Sequence, residues 1–206
     1  MTDRPPSKSS DESVPDSEPS AGWPVSLTGV TETVVATLGP NDRWNVAALG
    51  LFAGDPVTAR TWGNTRTRRN FHRRGAGYVQ FVDDPVVFTD AALSIFEVGE
   101  PVLDDATAWV RVSVSRMSTG ADDGTDWEEW ELEPVDSAVR STTVPTIGRG
   151  FNAVVEATVA ASRLEVDSYD EDELRRRLEY YAAVVDRAGD SRDRAALERV
   201  REHSKW

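Results

Sequence analysis

The chain of 206 residues contains no cysteine and only two histidines, His72 and His203. The absence of cysteine excludes disulfides, iron–sulfur clusters and thiolate nucleophiles. Two histidines are too few for a typical zinc or non-haem iron site. We therefore expect neither a metal centre nor chemistry based on cysteine.

Lysine is almost absent as well: Lys8 and Lys205 are the only two, so arginine supplies nearly all the positive charge. The formal net charge is −13. An acidic surface of this kind stays hydrated and soluble in concentrated salt. We interpret the composition as that of a cytosolic protein from a halophile, and a merely acidic protein from a high-GC genome is the alternative.

Long apolar runs are also missing. No stretch approaches the roughly 20 apolar residues of a membrane helix. Residues 1–22 consist largely of Pro, Ser and acidic residues, without the apolar region of a secretory signal, and we expect a solvated tail there. The sequence predicts a soluble, cytoplasmic protein without membrane contact.

Carboxylates are absent from one internal stretch, between Asp55 and Asp83. The stretch contains six arginines, Arg60, Arg66, Arg68, Arg69, Arg73 and Arg74, and among its polar residues are Thr61, Thr65, Thr67 and Asn70. Hydroxyl, amide and backbone N–H groups at a helix start bind phosphate through directed hydrogen bonds. The pattern predicts a phosphate site. The alternative is a solvated helix face whose arginines pair with acids elsewhere.

Short runs rich in Val, Thr, Ala and Trp begin at Trp23 and are separated by turn signals. They predict strands near residues 27–37, 45–53, 57–62 and 77–82. Alternation of valine with polar residues predicts a strand over 109–115, and Trp130 and Leu132 mark its partner beyond a turn at 120–124. At least six short strands favour a small barrel over a sandwich.

Helices are predicted in two places. Two short ones, 65–74 and 85–93, interrupt the strands, with Thr65 and Asp84 as caps. Beyond Pro145 the apolar spacing turns helical, although the valine-rich run near 151–159 is also compatible with a strand. A capping box at 168–171 then predicts a helix ending at Gly189, and a last helix covers about 191–203. The predicted domains are the tail 1–22, a β domain over 23–146 and a helical subdomain over 147–206.

Five segments in the same order resemble the archaeal domain-of-unknown-function family 447, and the resemblance spans about residues 25–165. They are Glu32–Thr37, Asn45–Gly50, Gly63–Phe71, Gln80–Pro85 and Gly150–Glu156. The resemblance implies an α+β, mainly β fold: a flavin-reductase-like split β-barrel that binds flavin mononucleotide (FMN) at a homodimer interface, here with a C-terminal helical appendage.

The resemblance also implies which residues bind FMN. Thr65, Thr67 and Asn70 correspond to the phosphate segment, with Arg66 supplying charge. The stretch from Asn45 to Ala48 corresponds to the strand edge along the isoalloxazine ring, although the family commonly has Pro-Met where this chain has Ala48-Leu49. Gln80 and Val82 lie on the strand expected to complete the ring pocket. The full predicted set is Asn45, Ala47, Ala48, Thr61, Asn64, Thr65, Arg66, Thr67, Asn70, Gln80 and Val82.

Three functions remain open at this point. The first is an FMN-dependent oxidoreductase whose NAD(P)H or other small redox substrate enters between the barrel and the helical appendage. The second is a flavin carrier or sensor without turnover, which the sequence does not separate from the first. The third is a nucleic-acid-binding module, which salt disfavours because affinity for phosphates falls steeply as salt rises.

Overall fold

The computed structural model of the chain describes residues 22–122 and 124–206. Apart from Gly22, the predicted tail lies outside the described residues. Within these described residues, seven strands form one sheet. Their bounds are Val30–Leu38 (β1), Trp44–Phe52 (β2), Thr58–Trp62 (β3), Ala76–Val82 (β4), Phe96–Val98 (β5), Ala106–Asp122 (β6) and Thr125–Val139 (β7).

Six of these strands close into an antiparallel barrel in the order β1-β4-β6-β7-β3-β2, because β2 pairs with β1 again. The predicted small barrel is therefore confirmed. Side chains of alternating residues point inward, so that Val35, Leu49, Leu51, Val110 and Leu132 share one buried core. The short strand β5 pairs with β2 and was missed by the sequence pattern.

The hairpin β6–β7 corrects the expectation of uniformly short strands. Its strands have 17 and 15 residues, and they stay paired as far as Asp122 and Thr125. Two register shifts interrupt the ladder, between Arg111 and Val112 and between Arg116 and Ser118. Such irregularities bend and twist a ribbon, which lets two long strands follow the wall of the barrel.

Helix α1, Arg66–Arg74, begins at the predicted cap, because the hydroxyl of Thr65 accepts a hydrogen bond from the Arg68 amide at 3.2 Å. The helix packs across one end of the barrel, and Phe71 is buried in the barrel core. Gly77 makes this approach feasible, because a Cβ there would lie 3.3 Å from the Phe71 ring. The helix is thus an integral part of the barrel rather than a local interruption of the strands.

Helix α2, Pro85–Leu93, joins the barrel to the C-terminal helices. As predicted, Asp84 caps it and Pro85 occupies the first turn. Phe88 and Ala91 pack on the outer face of β1 and β2. Val86 and Leu93 instead contact the core of the helical part. One short helix therefore contributes to two hydrophobic cores.

Three helices form the C-terminal part: α3 (Arg149–Ala161), α4 (Glu171–Ala188) and α5 (Ser191–His203). The valine-rich run is thus helical, which settles the alternative left open by its pattern. Leu174, Leu178 and Val185 form the predicted stripe on α4. The predicted capping box at 168–171 is wrong: Asp170 is the cap and accepts from the Glu173 amide at 3.1 Å.

None of the described helices combines the length and the apolar character needed to cross a membrane.

Candidate functional site

The barrel is split along one edge of β2. On one side, β2 pairs with β1 over its whole length. On the other side, it pairs with β5 at residues 44–46 and with β3 at residues 51–52. Among the described residues, no strand pairs with this second edge over residues 47–50. Backbone groups are therefore available for other partners in this gap.

The direction of those backbone groups follows from one hydrogen bond. The carbonyl of Leu49 accepts the Thr33 hydroxyl from β1 at 2.6 Å, so it points away from the gap. Successive residues of a strand direct their N–H and C=O groups to opposite edges. The N–H and C=O groups of Ala48 and Gly50 consequently point into the gap. They form a short row of donors and acceptors next to small side chains.

A cleft of about 220 Å³, which we call the alanine cleft, opens at this gap. It is lined by Ala47, Ala48, Leu49, Arg60, Thr61, Trp62, Thr65, Thr67, Ala91 and Ala92. No carboxylate is among these residues. The alanines of β2 and α2 leave room for a flat group to approach the backbone. The cleft therefore suits a planar ligand whose edge carries hydrogen-bonding groups.

The start of α1 supplies free donors beside the alanine cleft. Within residues 22–122 and 124–206, the amide groups of Arg66 and Thr67 have no hydrogen-bond partner, and neither has the hydroxyl of Thr67. Thr67 is only 5% exposed and lines the cleft. The first turn contains no acidic residue. A helix start with unpaired N–H groups and no carboxylate attracts an anion, above all a phosphate.

A second cavity of about 280 Å³, the arginine cavity, lies on another side of α1. Its lining is Gly39, Pro40, Asn41, Asn45, Arg66, Arg69, Asn70, Arg73 and Glu97. The carboxylate of Glu97 binds Arg66 at 2.6 Å, so a negative side chain lines this cavity although the sequence around Arg66 contains none. The fold brings Glu97 in from β5, far from Arg66 in the sequence.

Two arginines of α1 follow the alternative interpretation of the charge run, in which they pair with acids elsewhere, and two others bond to neutral groups of the fold. Arg68 binds Glu128 at 2.9 Å, so it pairs with an acid elsewhere, as Arg66 does. Arg69 donates to the Asn64 carbonyl at 2.6 Å. Arg73 donates to the side-chain oxygen of Asn70 at 2.7 Å. Much of the positive charge is therefore neutralised or used within the fold, and the free backbone groups remain the strongest anion signal.

Glu128 on β7 is a buried carboxylate that sequence reasoning missed. It is 2% exposed, and it accepts hydrogen bonds from Arg68, from Arg116 at 3.3 Å and from His72 at 2.7 Å. Burial alone raises the pKa of this carboxyl, but the hydrogen bonds from Arg68, His72 and Arg116 outweigh it and lower the pKa below its ordinary value. Glu128 thereby ties α1 to the barrel wall. Glu128 precedes Trp130 and Leu132 by two and four residues, and this spacing was the signal that places it on the inner face.

The structure gathers five of the predicted site residues in the alanine cleft: Ala47, Ala48, Thr61, Thr65 and Thr67. Three others, Asn45, Arg66 and Asn70, line the arginine cavity. Asn64 lies just before α1 and accepts from Arg69. Both cavities border the first turn of α1, since Arg66 lines one and Thr67 lines the other.

Gln80 and Val82 are not brought to either cavity. They lie on β4, which is separated from β2 by β1. Both ends of the buried Gln80 amide are used: it donates to the Pro101 carbonyl at 3.0 Å and accepts from the Leu103 amide at 2.7 Å. Val82 packs in the outer core beside Phe88. Gln80 therefore holds the loop before β6.

Trp62 and Trp130 differ in how far they are buried. Trp130 is buried in the barrel core and donates through its indole N–H to the Thr61 hydroxyl at 2.9 Å. Trp62 is 43% exposed at the mouth of the alanine cleft. An exposed indole at the edge of a cleft is available for a planar ligand or for another protein surface.

Comparison with protein-family models gives two matches. Residues 31–141 match the N-terminal domain of DUF447, described as a protein of unknown function, and residues 148–202 match the second DUF447 model. Comparison with curated proteins gives no match.

Among solved structures, the chain is similar to an FMN-bound DUF447 protein from Methanosarcina mazei. The identity is 22%, the TM-score is 0.74, and the match covers 86% of this chain and 96% of that one. The styrene monooxygenase flavin reductase of Pseudomonas putida gives 15% identity and a TM-score of 0.38 over 58% of this chain and 85% of its own. Flavoredoxin from Methanosarcina acetivorans gives 12% and 0.40 over 60% and 79%. The first similarity extends over both the barrel and the helical part.

Proposed function

This chain belongs to the DUF447 family, and we propose that it binds FMN noncovalently in the alanine cleft and acts as a flavin-dependent oxidoreductase. The observation that carries the proposal is the unpaired stretch of β2 over residues 47–50 beside the uncapped amide groups of α1. The FMN found in the similar Methanosarcina mazei protein supports the choice of ligand.

The residues present fit the two ends of FMN. The Arg66 and Thr67 amide groups and the Thr67 hydroxyl would hold the phosphate, which needs several directed donors. The N–H and C=O groups of Ala48 and Gly50 match the donor and acceptor edge of the isoalloxazine ring. The small side chains of Ala47 and Ala92 leave space for the ring. No side chain that lines this cleft would repel the phosphate charge.

FMN supplies the redox chemistry when it is bound, so the protein needs no acid or base of its own in the cleft. The contribution of the chain is to hold and orient the cofactor. Thr61 keeps its hydroxyl bonded to Trp130, which fixes the wall of the cleft. Arg60 stacks over Trp127 at 4.5 Å and pairs with Glu129 at 3.2 Å, so it forms a rigid rim. A flavin carrier without turnover uses the same geometry.

A homodimer is the assembly that we propose. The alanine cleft is open to solvent, and exposed apolar side chains lie close to it in the sequence. Trp62 is 43% exposed at the cleft, and Ile95, three residues beyond Ala92, is 71% exposed. A second copy that covers these side chains would also exclude water from a bound ring. Nucleic acid is a poorer partner because the carboxylates of Glu97 and Glu128 already neutralise Arg66 and Arg68.

Comparison of FMN with riboflavin tests the proposed binding mode. Riboflavin has the same ring without the phosphate. Since hydrogen bonds to charged groups contribute about 1.5–3 kcal/mol each, we expect FMN to bind at least about a hundredfold more tightly than riboflavin. Quenching of flavin fluorescence during titration measures both affinities. Equal affinities would contradict the assignment of the phosphate to α1, and failure of both ligands to bind would contradict the proposal itself.

Reduction of the bound flavin separates an enzyme from a carrier. Bleaching of the flavin absorbance near 450 nm on addition of NADH or NADPH under anaerobic conditions favours the oxidoreductase. A spectrum that stays unchanged with both reductants favours the carrier or an enzyme with another electron donor.

A further inference from the structure

A third cavity, of about 550 Å³, lies between the barrel and the C-terminal helices. Its walls come from the end of β3, the tip of the β6–β7 hairpin and the connection between α3 and α4: Trp62, Thr65, Asp122, Thr125, Ser162, Arg163, Val166 and Tyr169. The volume falls in the range of pockets that bind small molecules. The cavity shares Trp62 and Thr65 with the alanine cleft, so the two spaces adjoin.

Arg163 distinguishes this cavity from an ordinary surface depression. Its guanidinium lies over the Tyr169 ring at 5.2 Å from the centroid. Among the described residues, the Arg163 side chain has no ion pair and no hydrogen bond. Arg74, Arg111 and Arg149 also have neither, but they are exposed, whereas Arg163 is half-buried.

An unpaired, half-buried cation is unexpected in a chain with 36 acidic and 23 basic residues. Burial of an ionised group is unfavourable unless an opposite charge or hydrogen bonds compensate it. Carboxylates are abundant on this chain, and one of them, Asp122, lines the same cavity without pairing with Arg163. An anionic ligand would supply the missing partner of this guanidinium.

The aromatic side chains restrict the shape of that ligand. Trp62 is 43% and Tyr169 is 39% exposed, and both line the cavity. Aromatic side chains that border the same space favour a planar ring against them. The guanidinium of Arg163 provides paired donors for a carboxylate. Val166 adds an apolar wall.

We propose that this cavity binds a planar aromatic carboxylate, with its anionic group on Arg163 and its ring against Trp62 and Tyr169. If FMN occupies the alanine cleft, the aromatic carboxylate is the second ligand beside the flavin. Only this placement next to the flavin rests on the proposed function. The pocket itself is defined by Arg163 and the two aromatic residues.

Calorimetric titration with 2-naphthoate tests the site, and neutral 2-naphthamide serves as the matched ligand. We expect one molecule of 2-naphthoate to bind each chain. Arg163→Gln is expected to weaken 2-naphthoate at least tenfold and to leave 2-naphthamide almost unaffected, because only the carboxylate uses the charge. Arg149→Gln removes an exposed, unpaired arginine elsewhere and is expected to leave both ligands unaffected.

Arg163→Lys provides a second test that retains the charge. It is expected to bind 2-naphthoate more tightly than Arg163→Gln does and less tightly than the natural chain. The proposal is overturned if 2-naphthoate fails to bind the natural chain at about 1 mM, which corresponds to a very weak interaction. It is also overturned if the lysine and glutamine variants bind alike, or if both bind as the natural chain does.

Retention of FMN in the same variants separates this inference from the proposed function. Arg163→Gln is expected to retain FMN as the natural chain does. Binding of 2-naphthoate that depends on Arg163 in a protein without affinity for FMN would overturn the proposed function and support this site. Tight FMN binding together with 2-naphthoate binding that does not depend on Arg163 would overturn this site and support the proposed function.

Discussion

Two threonines at the start of α1, Thr65 and Thr67, have different roles. The Thr65 hydroxyl accepts from the Arg68 amide and so stabilises the helix. The Thr67 hydroxyl is unpaired among the described residues and lies in the alanine cleft. Two residues of the same type, two positions apart, thus divide into a structural cap and a candidate ligand contact.

Thr67→Val tests this division because it removes the hydroxyl and keeps the shape of the side chain. We expect the dissociation constant for FMN to rise about tenfold, since one hydrogen bond to a charged phosphate is lost. Fluorescence titration measures the change. Thr119→Val, at an exposed position of β6, is the control and is expected to bind FMN as the natural chain does. Undiminished affinity of Thr67→Val would place the phosphate elsewhere.

Glu128 shows how a single carboxylate positions an element. It accepts from Arg68 and His72 of α1 and from Arg116 of β6, so one buried group joins a helix to two strands. Because α1 carries the free amide groups of the site, its placement against β7 also sets where an anion is held. The partner residues are far apart in the sequence.

Glu128→Gln should reduce the free energy of unfolding at pH 7 by about 1.5–3 kcal/mol, since hydrogen bonds to a charged acceptor are lost. Denaturant unfolding measures the change. Glu129→Gln, one residue further on, breaks the half-exposed pair with Arg60 and should cost only about 0–1 kcal/mol. Equal effects of the two substitutions would contradict the anchoring role of Glu128.

Acid should remove the advantage of the natural chain over Glu128→Gln. The pKa of Glu128 is lowered in the folded protein from the ordinary value of 4.5. A carboxylate whose pKa is lowered by folding stabilises the folded state at pH values above its ordinary pKa. This stabilisation is lost as the pH falls through the pKa of the folded state. The difference in unfolding free energy should be complete at pH 7 and shrink below about pH 4.5. A difference that grows in acid would mean that the carboxyl is not ionised in the fold.

Helix starts and alternating strands were predictable because their signals are local. Thr65 and Asp84 cap helices by bonding to amide groups two or three residues away, and Val110, Val112 and Val114 alternate with polar residues within β6. These features need no knowledge of distant residues. Five of the predicted site residues also line the alanine cleft, but the family resemblance implied that set, and no local pattern did.

The partners of the arginines were not predictable from the pattern. Glu97 reaches Arg66 across 31 residues, and Glu128 reaches Arg68 across 60. A stretch of sequence without carboxylates can be surrounded by carboxylates in the fold. The same reason explains Gln80, whose amide is taken up by the loop at Pro101 and Leu103. Its strand lies beyond β1, which only the sheet order reveals.

The whole molecule is held together through α2. Asp84 binds Arg192, and Asp90 binds His203 at 3.0 Å, so both ends of α2 contact α5. Val86 and Leu93 pack into the helical core, while Phe88 packs against the barrel. The helical subdomain over 147–206 remains a predicted division, and these contacts make the barrel depend on it.

A chain that ends at residue 146 should therefore melt more than about 10 °C below the full chain, because the outer face of α2 loses its apolar cover. Thermal unfolding followed by circular dichroism measures the difference. A truncated chain that melts cooperatively at the same temperature would mean that the barrel and the helices are independent units.

The absorption spectrum of the freshly purified full chain tests the flavin proposal most directly. Binding of FMN in the alanine cleft predicts a band near 450 nm, or its appearance after incubation with FMN at high salt and removal of free flavin, with up to one FMN for each chain. A chain that remains colourless after this treatment would contradict FMN binding in the alanine cleft and, with it, the proposed oxidoreductase.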